Sequence, residues 1–111
     1  MQLDDMSPRQ ARAERMNRER NERVLSAALD IALTEGYAAI SQRKVAQRAS
    51  VSVGAVNYSF GNMAGLQDAV MREAIHRRHL TVLAQGLALR SRIALDAPED
   101  LKRDALATLK T

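Results

Sequence analysis

"SQRKVAQRASVSVGAVNYSF", Ser41 to Phe60, decides the fold. Ser41 is placed to cap a short helix over Gln42 to Ala49, since a serine hydroxyl can accept from a free amide of the first turn. Val45, Ala46 and Ala49 would form the buried side of that helix. Ser50-Val51-Ser52 leaves room only for a tight turn, and Ser52 then caps a second short helix, Val53 to about Phe60. Two short helices joined this way pack closely when one offers a small residue and the other a branched apolar anchor. Ala46 and Val56 meet that need at the spacing of a helix-turn-helix over about 41–60. Gly54 and Ala55 leave the leading turn of the second helix almost bare, so it can approach a surface, while Asn57 and Tyr58 project from it.

No charge occurs between Ser50 and Phe60, although 27% of the chain is Asp, Glu, Lys or Arg. A segment that reads base edges is expected to be neutral and small, with charge left to the flanks that face phosphate. From Gly36 through Gln67 there is no Asp or Glu, while Arg43, Lys44 and Arg48 lie inside the window. A carboxylate facing phosphate is repulsive at close range, so this is the surface a polyanion requires. The formal charge of +4 favours an anionic partner without demanding one, and with a base-reading hairpin that partner is expected to be double-stranded DNA.

Outward from the hairpin the chain reads as all-α. Residues 1–17 form a charged arm, in which Ser7-Pro8-Arg9-Gln10 has the form of an N-cap, a proline at the first helical position and Gln at the third. From about Arg18, Val24, Leu25, Ala28, Leu29, Ala32 and Leu33 repeat at helical spacing, and Gly36 ends that first helix. Asn62 caps a helix from about Ala64 with Leu66, Ala69, Val70, Ala74 and Ile75 inward, expected to continue beyond Leu80 with Gly86 as its weak point. Asp96-Ala97-Pro98-Glu99 reads as an N-cap with Glu at the third position, opening a last helix with Leu101, Ala105, Leu106 and Leu109. The expected organisation is the arm, a DNA-binding domain over 18–80, and a helical extension over 81–111 available for dimerisation.

Several functions are disfavoured. Without cysteine there are no disulfides, thiolate nucleophiles or Cys-based metal sites. No secretory leader and no apolar run of about 18 residues is present, so a cytoplasmic protein without membrane partners is expected. His76 and His79 share one side of a helix, but Arg77 and Arg78 between them would repel a cation. Neither a phosphate loop nor a framed carboxylate pair suggests an enzyme, and no metal or cofactor is expected.

"RVLSAALDIALTEGYAAISQRKVAQRASVSVGAVNYSFGNMAGL", Arg23 to Leu66, resembles the N-terminal DNA-binding domain of TetR-family transcriptional regulators. The landmarks are an Ala-rich first helix ending in Gly36-Tyr37, the basic helix Gln42 to Ala49, Val51-Ser52-x-Gly54, and Gly54-Ala55-Val56-Asn57-Tyr58 followed by Phe60-Gly61. The resemblance, over about residues 18–80, implies a homodimer that represses from a palindromic operator. It implies DNA contacts from Gln42, Arg43 and Lys44 and, on the recognition helix, from Val53, Gly54, Ala55, Asn57, Tyr58 and Ser59. Asn57 would pair with adenine and Ala55 touch a thymine methyl. Some positions depart from the family's pattern. Ser50 stands where glycine is usual, Ser59 where His or Tyr commonly reaches a phosphate, Met63 where Lys does, and Ala64 in place of a frequent Glu. Family members normally continue into an inducer-binding domain, so no small-molecule inducer is expected of this chain. The rival reading is a helical interaction protein that pairs with another regulator without touching DNA.

Overall fold

A computed structural model describes residues 7–110, and the described residues are helical with short connections and no strand. The first helix, α1, spans Pro8–Glu35. Its start is set by a capping box: the Ser7 hydroxyl accepts from the Gln10 amide at 3.1 Å, and the Ser7 amide donates to Gln10 Oε1 at 3.0 Å. The helix therefore begins well before Arg18 and runs unbroken through positions 17 and 18 into the apolar segment. At 1.5 Å per residue it is about 42 Å long, and its first half projects beyond the rest.

Gly36, at a φ of 107°, ends α1 and leads into a single 3-10 turn, Tyr37–Ala39. Tyr37 locks this corner. Its amide donates to Gln85 Oε1 at 2.7 Å and its hydroxyl donates to the Gln67 carbonyl at 3.1 Å. Burial pushes the Tyr37 phenol above its ordinary pKa, and the nearby Asp68 carboxylate adds to the rise. The helices α2 (Gln42–Ala49) and α3 (Val53–Phe60) follow, then α4 (Met63–His76). Ser41, Ser52 and Asn62 cap them as expected, accepting from Lys44, Ala55 and Gly65 amides.

The expectation that α4 would run past Leu80 and weaken at Gly86 is corrected by the structure. It stops at His76, and α5 (Leu80–Ala88) starts after a sharp corner. Arg78 sits there in the left-handed region, its amide bonded to the Ile75 carbonyl and the next amide, of His79, to that of Ala74. That double bond pattern ends a helix without glycine. Ser50 after α2 and Arg90 after α5 end theirs in the same way. Gly86 lies buried inside α5, where a methyl would run into the side chains of Met71 and Ala94, so it serves close packing of α5 on its neighbours. A second correction concerns the last helix. Asp96 does not cap it: Asp96 closes the short α6 (Arg92–Leu95), and α7 (Glu99–Ala107) begins directly behind Pro98. Glu99 and Asp100 in its first turn offset the partial positive charge of that end. A 3-10 turn, Thr108–Lys110, follows.

One core joins these elements. Val24, Ala28 and Ile31 of α1 meet Val45 of α2, Val56 of α3 and Leu66 and Val70 of α4, and Met71 continues it to Val82, Leu83, Leu101 and Ala105. No charged or polar residue is buried among the described residues. Each fully buried Leu or Val contributes roughly 1.5–3 kcal/mol, so the hairpin is held by its contacts with α1 and α4 more than by its own short helices.

Candidate nucleic-acid interface

The hairpin is fixed from inside. Ala46 and Val56 are buried at 5% and 1% exposure, so α3 crosses α2 where the small and branched residues allow. The connecting turn carries Ser50 at a φ of 59°, a left-handed conformation that costs a non-glycine residue about 1 kcal/mol. At the far end, a methyl on Gly65 would run into the Phe60 carbonyl, so α4 starts hard against the end of α3. The side of α3 that remains outside is thereby defined.

Val53, Gly54 and Tyr58 are exposed there, and Ala55, Asn57 and Ser59 are half-buried. Asn57 is not a lone side chain: its Oδ1 accepts from Gln42 Nε2 at 2.7 Å, across the junction of α2 and α3. The pair keeps the Asn57 amide group free to donate and the Gln42 carbonyl oxygen free to accept. Ser59 is turned inward, with its hydroxyl oxygen buried and without a partner. Met63 packs, partly buried, against the core.

The basic residues divide. Lys44 Nζ lies 2.6 Å from Glu35 Oε1, and Arg48 spans Asp30 and Glu35, its bond to Glu35 being 3.1 Å. The carboxylate-free window thus meets acids from the end of α1, outside it in sequence. Glu35 is held below its ordinary pKa, first by the hydrogen bond from Lys44, which outweighs an opposing effect of desolvation, and then by the charges of Lys44 and Arg48. Arg43, exposed in the first turn of α2, has no carboxylate partner among the described residues.

Sequence reasoning passed over Arg20. Its guanidinium lies 5.0 Å from the centre of the Tyr58 ring, a stacking that restrains the most exposed side chain of α3. Arg20 NH2 also donates to Asn17 Oδ1 at 2.9 Å. The signal was present, because Arg20 falls four and eleven residues before Val24 and Ile31 on the inward side of α1. Glu35 and Asp30 left no such trace, since their partners lie across a helix connection.

No group of three or more His, Asp or Glu side chains placed to hold a metal occurs among the described residues, and no described helix is long and apolar enough to cross a membrane. Residues 24–70 match the family model of bacterial regulatory proteins, tetR family. No curated protein and no solved structure gives a significant match.

Proposed function

We propose that the protein, whose residues 24–70 match the tetR family model, is a DNA-binding transcriptional regulator of that family that acts as a homodimer on a palindromic operator and represses. The observation that carries this reading is the Gln42–Asn57 amide pair, set where α3 presents a bare, uncharged edge and no carboxylate lies on α2, α3 or their turn. Paired amides offer both donors and acceptors to a base edge, and Asn bidentate to adenine is the natural match. Arg43, exposed and without an ion pair among the described residues, would hold a phosphate and fix the register. Val53, Gly54 and Ala55 bring the backbone of α3 close to the groove, and Tyr58, braced by Arg20, flanks it. Lys44 would reach phosphate by leaving Glu35, and Ser59, turned inward, supports α3.

Repression follows from occupancy, since a dimer clamped on a promoter excludes other proteins from it. The test is a gel-shift titration against random duplex at two salt concentrations, followed by selection of a preferred site from a random pool. Binding that falls steeply with salt and a selected site with two-fold symmetry are expected. Affinity that is absent, or indifferent to salt, would overturn the reading. The rival, an interaction protein that pairs with another regulator, draws on the exposed Leu95, Leu106 and Leu109.

A further inference from the structure

The helix-turn-helix uses the second half of α1 as a support, which leaves the first half unexplained. Pro8 to Arg23 forms more than four turns of helix, with Met16 60% exposed and few residues even half-buried. A solvated helix of balanced charge would be expected to lace its arginines to its acids, and Glu14–Arg18 and Glu19–Arg23 have the i,i+4 spacing to do so. Among the described residues none of Arg9, Arg12, Arg15, Arg18, Arg20 and Arg23 makes an ion pair.

The positions are also not scattered. Arg9, Arg12, Met16, Arg20 and Arg23 follow at intervals of three, four, four and three, which places them along one side of α1, with Glu19 at its edge and Glu14 around the helix. This side has a known direction. Arg20 lies over Tyr58 of α3, and the stripe continues beyond Arg23 into Ala27 and Asp30, which face Arg48 and Ala49 of α2 across a groove that Glu19 and Glu22 also line. The arginines therefore look out on the side of α1 that carries the hairpin. From Arg20 back to Arg9 is three turns, about 16 Å, more than the roughly 12 Å width of a major groove.

We infer that the projecting first half of α1 is a second nucleic-acid contact, an arginine track in which Arg9 and Arg12 bind phosphates of the duplex flanking the segment read by α3. The inference rests on the helix-turn-helix reading above and extends it: the ligand is the sugar-phosphate backbone, engaged without regard to base. Arg20 joins the two contacts, holding Tyr58 on one side and continuing the track on the other. Such a contact lengthens the bound segment and strengthens binding to all sequences alike.

The experiment compares two double variants of the full chain that remove the same charge from different sides of α1. Arg9→Ala with Arg12→Ala takes it from the track, and Arg15→Ala with Arg18→Ala from the remaining circumference. Alanine suits an exposed helix, and circular dichroism checks that helicity is kept. Affinity for a long random-sequence duplex is measured across a salt series. The first variant should flatten the slope of log affinity against log salt by about 2 per chain, while the second should keep a slope close to that of the parent. Equal changes in both variants would reduce the effect to net charge and overturn the track, as would no change in either. Arg43→Ala separates the two levels of the argument. If it weakens binding while the Arg9 and Arg12 variant does not, only the track fails. If the parent chain binds no duplex at any salt, the helix-turn-helix reading fails and the track with it.

Discussion

In the proposed reading, Gln42 and Asn57 divide one task between two helices. A lone asparagine on an exposed helix samples several rotamers, and ordering it on DNA costs free energy; the 2.7 Å bond from Gln42 fixes the amide plane beforehand. Asn57→Ala should relax preference at one base pair by about 1–3 kcal/mol. Gln42→Ala should relax the same base pair to a smaller degree and leave the others alone, since it acts by holding Asn57. Arg43→Ala should weaken all sequences together. A panel of operator variants checks this, and a Gln42 profile that resembles Arg43 rather than Asn57 would break the assignment. Both amides were expected, from the resemblance, as separate DNA contacts. Their bond was not, because it depends on how closely α3 crosses α2 over Ala46 and Val56.

At the scale of elements, α1 and α2 are clasped by Glu35 and Asp30 on one side and Lys44 and Arg48 on the other. Glu35 carries a pKa lowered in the folded chain, so its contribution is complete above the ordinary carboxylate value of 4.5 and is lost as pH falls through that value and below it. The melting temperature should therefore hold level from neutral pH down to about 5 and drop below it. Glu35→Gln should lower it at neutral pH and make the drop shallower. A variant that melts with an unchanged acid profile would show the clasp to be idle. The hairpin itself was readable because capping serines, the Ala46 and Val56 pair and the neutral turn are local signals. The corner at Arg77 to His79 was not, since an arginine in the left-handed region carries no compositional mark, and Gly86 looked like a helix breaker when its role is to admit Met71. The clasp was equally hidden, its charges lying nine or more residues apart across a turn that the sequence does not measure.

The whole molecule is elongated, 54 × 32 × 18 Å; α2 packs on α1, and α3 on α1 and α4, while α7 packs on α5 and α6 on α4 and α5. In the proposed dimer, two recognition helices related by two-fold symmetry would supply the selectivity that one helix, meeting too few bases, would not. The surface for that pairing must lie away from the DNA and offer apolar area. Leu95, Leu106 and Leu109 satisfy both conditions: they are 47%, 46% and 59% exposed, and Leu95 and Leu106 border a groove between α5 and α7 whose rim carries Lys102 and Arg103 beside Glu99. Leucines of this exposure are of small benefit to the fold, so replacing them tests association without touching the core. Leu95→Glu with Leu106→Glu should leave the melting temperature of the free chain within about 2 °C, while binding to a full palindrome falls toward that of a single half-site. Sedimentation on the palindrome should then show one chain per duplex in place of two. Two chains bound side by side in the variant, with affinity intact, would place the dimer contact elsewhere on the molecule.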